Sequence, residues 1–401
     1  MTTPTMELHL QQRLAERREQ SLYRHRRELG SAQDARIQLN GRTMLQFCSN
    51  DYLGHAGHPK LIEAMQAAAK DFGVGGGASH LICGHSSLHH ELEERLAEFT
   101  GRERALLFST GYMANLGLIA GLMQRGDHLL EDRLNHASLL DGGLLSGAKM
   151  QRFQHSDTAD LERRLKKLPH TGQRLIAVDA VYSMDGDLAP LAEMADLARG
   201  HNAWLMADDA HGFGVLGERG AGTAEMLGLD TQQLPVLMAT LGKALGSFGA
   251  FVAGSATLIE SLIQFARPYI YTTAMPPAVA AATLASLDLL QSEGWRRQRL
   301  AEHIDFFRAE AKRLGLPLMA SQTAIQPLMV NDDALALALS RELEARGVLV
   351  SAIRPPTVPL GTARLRITLS AAHSREDIEK LLTTLESACW DVAPQLLEFH
   401  S

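Results

Sequence analysis

Between residues 58 and 293 the chain repeats one pattern: a strand-length apolar run, a polar or glycine-rich turn, then a helical stretch. The runs lie at 105–108, 128–130, 175–181, 203–207 and 236–239. A strand with one wet face alternates apolar and polar residues. An unbroken apolar run of this length is instead covered on both faces. Such strands separated by helices form a mostly parallel sheet between helix layers, so an α/β fold is expected, with its large domain at 58–293.

The flanks read differently. Residues 1–57 form an arm: a helix from about 7 to 29, then a hairpin with strands at 37–39 and 44–47 around Asn40-Gly41, a dipeptide suited to a two-residue turn. Residues 294–401 read as a smaller α/β domain. A helix to about 314 leads to a strand at 325–330, a helix at 332–346, strands at 348–353 and 364–369, and a last helix from Ser374.

Net charge is -7 over 401 residues, which gives no reason to expect nucleic acid or an anionic membrane as partner. The most apolar stretch, 274–290, contains Pro276, Pro277 and Asp288 and reads as a buried helix with a proline start. Cys48, Cys83 and Cys389 make no closed disulfide framework and read as reduced thiols. The expectation is a cytoplasmic enzyme.

In open α/β sheets ligands bind beyond the carboxyl ends of the strands, so the turn after each run carries the chemistry. Ser109-Thr110-Gly111-Tyr112 opens a helix, whose free N–H groups and dipole suit a phosphate; taken alone, one glycine turn favours a bare tight turn without a ligand. Asp208-Asp209-Ala210-His211-Gly212 puts two carboxylates at the end of a buried run, where they need a cationic partner or a surface turn. A metal is disfavoured there, because no second His or Cys stands at ligand spacing, and no metal site is expected. Thr240-Leu241-Gly242-Lys243-Ala244 places a lysine among small residues at a strand end. It lacks the glycine spacing and hydroxyl residue of a phosphate-binding loop. A desolvated lysine there has a lowered pKa and offers a neutral amine for a Schiff base.

Together these turns supply what pyridoxal 5′-phosphate (PLP) requires: a phosphate seat at Gly111, a carboxylate for the pyridine nitrogen at Asp208, a partner for the ring hydroxyl at His211, and the amine of Lys243. His136 also follows a run and could stack on the ring; a lone histidine is more often structural.

Five segments resemble the α-oxoamine synthase family: Ser49-Asn50-Asp51-Tyr52-Leu53-Gly54, Asp132-Arg133-Leu134-Asn135-His136-Ala137-Ser138, Ser183-Met184-Asp185-Gly186-Asp187, Asp208-Asp209-Ala210-His211-Gly212 and Thr240-Leu241-Gly242-Lys243. The resemblance extends over nearly the whole chain. It implies a fold-type I PLP-dependent transferase, working as a homodimer with shared active sites. It implies that Lys243 carries the cofactor, Asp208 faces the pyridine nitrogen, His211 and Ser183 lie around the ring hydroxyl, and His136 stacks on the ring. Gly111, Tyr112 and Thr240 would hold the phosphate, with Thr272 and Thr273 reaching that of the neighbouring subunit. Arg24, Asn50, His136, Arg354, Thr357 and Arg366 match substrate-side positions, Arg366 for the amino-acid carboxylate, since an arginine fork binds both oxygens.

Within the family, Ala352-Ile353-Arg354-Pro355-Pro356-Thr357-Val358-Pro359 points to L-alanine and a pimeloyl thioester, on coenzyme A or an acyl-carrier protein, and so to biotin synthesis. The segment Gly73-Val74-Gly75-Gly76-Gly77-Ala78-Ser79-His80-Leu81-Ile82-Cys83-Gly84-His85 departs from that pattern, keeping the Ser-His pair in a different neighbourhood. The rival readings are a sister synthase using glycine or serine, an aminotransferase, and a non-catalytic subunit that keeps the fold. The last has no need of Lys243, Asp208 and His211.

Overall fold

The computed structural model describes residues 5–20 and 22–397. Its strands are β1 (Arg36–Leu39), β2 (Arg42–Gln46), β3 (Arg104–Phe108), β4 (His128–Asp132), β5 (Lys149–Phe153), β6 (Arg174–Asp179), β7 (Trp204–Asp208), β8 (Val236–Thr240), β9 (Ala250–Gly254), β10 (Ile325–Met329), β11 (Val348–Leu349), β12 (Ser351–Ile353) and β13 (Arg364–Thr368).

Seven of them form one sheet in the order β3-β9-β8-β7-β6-β4-β5. Only β9 runs against the others, antiparallel to β3 and β8. The strands β3, β4, β6, β7 and β8 therefore all end at one edge of the sheet. Successive residues serve opposite faces. Leu175 and Ala177 join the core beneath the helices Gly111–Leu122 and Ala256–Phe265, while Ile176 and Val178 join the core on the other side. This two-sided burial is why the runs are apolar without alternation.

Two strands of this sheet lie outside the five runs. The edge strand β5 carries Lys149, Gln151 and Arg152 and is only partly buried, so it lacks the apolar signature. The strand β9 is fully buried but follows a glycine-rich turn. That turn has a steric reason. Gly246 has φ +62, and a Cβ there would come within 2.3 Å of Ala56 N. This close approach packs the loop carrying Lys243 against the segment after Tyr52.

The N-terminal helix is shorter than expected: it spans Met6–Glu19, not 7–29. None of its residues is buried, so no packing extends it further. The hairpin β1–β2 forms around Asn40-Gly41, both in positive φ. It is completed by β11, parallel to β2 with Val348 opposite Leu45. The expected single strand at 348–353 is thus divided: β11 joins the hairpin, and β12 joins β10 and β13 in a separate antiparallel sheet. The proline-started helix is Pro277–Ser292, and Ser374 caps the last helix, Arg375–Val392. The three cysteines are free thiols.

Candidate active site

At the shared strand edge a cavity of about 200 Å³ is lined by Gly111, Tyr112, His136, Ser183, Asp208, His211, Thr240 and Lys243, with Asn115, Ser138 and Asp179. Every cofactor-side residue expected from the sequence lies here except Thr272 and Thr273. Those two sit on the segment bridged to Ser79 and line no part of this chain's cavity.

Asp208, the last residue of β7, is held at both oxygens: Asn115 Nδ2 donates to Oδ2 at 2.7 Å and the Ala210 N–H to Oδ1 at 3.0 Å. Asp209 points elsewhere. It accepts from the Thr223 N–H at 2.6 Å and from the Thr223 hydroxyl, and burial pushes its carboxyl up to about 7. Asn115 also donates to Ser138 Oγ at 2.8 Å, and Ser138 Oγ lies 2.7 Å from His136 Nδ1. The Ser138 N–H donates to that same Nδ1, so Nδ1 is the acceptor and Nε2 carries the proton. Burial, then the Lys243 charge, keeps His136 below its ordinary range despite the Asp208 carboxylate. The His136 N–H donates to Asp179 Oδ2 at 2.7 Å; burial and then the Asp208 charge hold Asp179 well above the usual carboxylate range.

A second chain of bonds starts at Lys243. Its Nζ lies 2.8 Å from His211 Nε2, His211 Nδ1 lies 2.5 Å from the Tyr52 hydroxyl, and Tyr52 donates to Asn50 Oδ1 at 3.3 Å. That order fixes His211 with Nδ1–H donating to Tyr52 and Nε2 accepting from Lys243. Burial and then the Lys243 charge keep His211 neutral, far below its ordinary range. Burial also lowers the Lys243 amine to about 8, although Asp208 and Asp179 oppose the shift. Arg366 is 6% exposed and fixed on three sides: Nε donates to Ser183 O at 2.6 Å, one terminal nitrogen to Thr368 Oγ1 at 2.9 Å, and the other to Asn50 Oδ1 at 3.2 Å.

A second cavity, of about 1230 Å³, also borders Lys243. Arg24, Asn50 and Arg354 line it, and so do Arg18, Arg27 and Arg341. Thr357 lies outside both cavities on an exposed turn, its N–H donating to Arg354 O. The supporting residues Asn115, Ser138 and Asp179 were not singled out from the sequence. A lone Asn in an apolar helical stretch and an Asp inside an apolar run were their visible signals.

The small cavity fits PLP on its own chemistry. A helix N-terminus at Gly111 and Tyr112 suits the phosphate. A carboxylate clamped at both oxygens suits the pyridine nitrogen, and a lysine amine lowered to about 8 suits the aldehyde. On this sheet these features define a fold-type I PLP-dependent enzyme.

A family model described as aminotransferase class I and II matches residues 42–385. An 8-amino-7-oxononanoate synthase of Cellvibrio japonicus (strain Ueda107) is 62% identical over 384 residues, 95% of this chain and 96% of that protein. Among solved structures, a Sphingomonas wittichii serine palmitoyltransferase superposes with a TM-score of 0.92 at 33% identity, covering 98% of this chain and 100% of that one. A serine palmitoyltransferase variant from S. paucimobilis with a bound PLP–myriocin aldimine gives 0.91 at 31% identity, over 96% of this chain and 98% of that one. The chain belongs to the class I and II aminotransferases and, among them, to the 8-amino-7-oxononanoate synthase family. Its cofactor is pyridoxal 5′-phosphate.

Proposed function

We propose that the chain condenses L-alanine with a pimeloyl thioester, releasing carbon dioxide and the thiol carrier, to give 8-amino-7-oxononanoate for biotin synthesis. The observation that carries this reading is that both cavities border Lys243, one shaped for the cofactor and one large, arginine-lined and open to an anionic acyl group. Bound PLP supplies an electron sink beside the amino-acid Cα.

The chain's own residues do the rest. Gly111, Tyr112 and Thr240 hold the phosphate, His211 and Ser183 flank the ring hydroxyl, and His136 stacks on the ring. Asp208 keeps the pyridine nitrogen protonated. Lys243, neutral when freed, takes the Cα proton. The Cα-to-carbonyl bond forms as the thiolate leaves. His136 Nε2–H donates to the oxygen that gains charge. The Cα–carboxylate bond then breaks, carbon dioxide departs, and Lys243 returns a proton to Cα. Arg366, held rigid by Ser183, Thr368 and Asn50, receives the amino-acid carboxylate on its remaining N–H groups.

The acyl carrier, coenzyme A or acyl-carrier protein, lies at the mouth of the larger cavity, with Arg24 and Arg354 facing the acyl chain's distal carboxylate. A second copy of the chain completes the enzyme. Thr272 and Thr273 reach its phosphate, and the exposed Val74, Leu81, Ile82 and Tyr271 pack against it. No helix among the described residues is long and apolar enough to cross a membrane, in keeping with action in the cytoplasm.

The test is product identification by mass spectrometry. L-alanine with pimeloyl-CoA should give 8-amino-7-oxononanoate faster than glycine or serine with any other acyl-CoA gives its product. Faster turnover of one of those pairs would overturn the substrate assignment.

The two arginines should separate the two substrates. Losing one charge-assisted hydrogen bond costs about 1.5–3 kcal/mol, roughly ten- to a hundredfold in affinity. Arg366→Ala should raise KM for L-alanine by that factor and leave the thioester nearly unchanged. Arg24→Ala should do the opposite. General destabilisation cannot produce such a crossed pattern, and equal effects on both substrates would remove the assignment.

A further inference from the structure

Outside the active site, the segment that departs from the family pattern brings three histidines together. His80 opens a single wide turn, His80–Gly84; His85 follows it; and His89 lies in the first turn of the helix Ser87–Thr100. One ligand nitrogen from each lies within 4.8 Å of the others. The His80 and His85 Nδ1 atoms are only 2.9 Å apart.

The ring positions match a metal geometry. Zn–N bonds of about 2.0–2.1 Å put each imidazole centroid about 3.2 Å from the ion, so three tetrahedral imidazoles have centroids about 5.2 Å apart. The observed separations are 5.2 Å for His80 and His85, 5.1 Å for His80 and His89, and 5.7 Å for His85 and His89.

One outward-facing partner matches as well, that of His89, while the carboxylate nearest to His85 lies beyond hydrogen-bond reach. A metal-bound histidine usually donates its other ring N–H to a carbonyl or carboxylate, which fixes the tautomer. His89 Nε2 lies 2.8 Å from Met275 O, and His85 Nε2 lies 4.0 Å from a Glu93 oxygen. His80 is oriented by stacking on Tyr269, with centroids 5.1 Å apart and planes at 12°. Burial lowers all three imidazoles below their ordinary range, and in His80 and His85 neighbouring histidines add to the shift.

We propose that His80, His85 and His89 bind one divalent transition-metal ion, zinc by the geometry, with a fourth position left to solvent. The ion takes the place of the Ser86 N–H and the Ser86 hydroxyl, both 3.0 Å from His89 Nδ1. It clips the turn His80–Gly84 to the helix behind it and, through Met275, to the segment bridged at Ser79 and Thr273. Three imidazoles suit zinc, nickel, copper or cobalt and not magnesium or calcium.

The experiment uses the tag-free holoenzyme, stripped with a chelator and titrated with Zn²⁺ alone, without coenzyme A or other thiols. One equivalent per chain should bind, and Zn²⁺ should raise the melting temperature. In His80→Asn and in His85→Asn the dissociation constant should rise by more than about a hundredfold, beyond the cost of losing an outer partner. His90→Ala should bind as the unmodified protein does. X-ray absorption of the zinc-loaded unmodified protein should show three imidazole nitrogens, a readout that needs no variant. Absence of stoichiometric binding, unchanged binding in the His80 and His85 variants, or loss in His90→Ala would each overturn the assignment. The last outcome would move the ion to the alternative group of His85, His90 and Glu93.

Discussion

Lys243→Ala is expected to fold, to retain PLP without a borohydride-fixable link, and to lose at least about four orders of magnitude in turnover. The fold should survive because, among the described residues, the one side-chain hydrogen bond of Lys243 is to His211. The loop's shape comes instead from backbone bonds, Gly246 N–H to Lys243 O at 2.8 Å and Leu241 N–H to Gly249 O at 2.9 Å, which an alanine keeps. The loss is large because one amine serves twice. In the proposed reaction it is the covalent anchor and also carries the Cα proton, a role that alone is worth about 10²–10⁴. Its pKa gives an independent check. Lowered to about 8, the amine is half neutral at pH 8, whereas an ordinary lysine is neutral only about once in 250. A base lowered in this way gains reactive form as pH rises through 8. Acylation of Lys243 in the cofactor-free protein should therefore have its midpoint near pH 8. A midpoint near 10, or a reducible PLP adduct and normal turnover in Lys243→Ala, would refute the assignment.

What could be read from the sequence follows burial. The five runs were legible because each is covered on both faces, and the residue after each run is placed by the strand end. That is how Gly111, Asp208, His211 and Lys243 could be gathered from three separate turns. The edge strand β5 was not legible, because it is only partly buried and carries Lys149, Gln151 and Arg152, unlike the buried edge strand β3, and β9 was hidden behind the glycines that shape the Lys243 loop. The division of 348–353 between two sheets leaves no local mark, since both halves are apolar enough for either. The N-terminal helix was read too long because its polar pattern continues past Glu19 while nothing packs on it. The supports Asn115 and Ser138 were missed for another reason. Their meaning lies in which carboxylate and which imidazole they reach, and that depends on the packing of two helices against each other.

That packing gives Asn115 a particular part. Its two amide hydrogens go to Asp208 and Ser138, and Ser138 in turn bonds His136. The group proposed to face the cofactor's ring nitrogen and the group proposed to stack on the ring thus share one support. The carbonyl oxygen of Asn115 is buried and has no hydrogen-bond partner among the described residues. The amide is therefore used for its two donors, one to Ser138 and one to position 208, where an acceptor-only group satisfies it together with the Ala210 N–H.

Asp208→Asn is expected to bind PLP through Lys243, Gly111 and Tyr112 while exchange of the alanine Cα proton falls by about two to four orders of magnitude. The change removes a charge and almost no volume. An asparagine at 208 offers one oxygen and one NH2 group to two fixed donors, Asn115 Nδ2 and the Ala210 N–H, so one contact becomes donor against donor. Asn115 could turn its free oxygen toward the new NH2 group, but only by giving up Ser138 and loosening His136. Either way the cofactor's pyridine nitrogen loses its counter-charge in a buried site, a break that costs about 3–5 kcal/mol. At 1.36 kcal/mol per decade this is the expected fall in rate. Asp209→Asn is the control. Its carboxyl is engaged by Thr223 and borders no cofactor contact, so that variant should melt lower while each folded molecule keeps its exchange rate. Proton exchange is read by deuterium incorporation into L-alanine without any thioester, which separates this step from acyl transfer. If Asp208→Asn exchanges as fast as the unmodified enzyme, Asp208 is not the residue that holds the ring nitrogen, and if Asp209→Asn is the slow variant, the two carboxylates have been assigned the wrong way round.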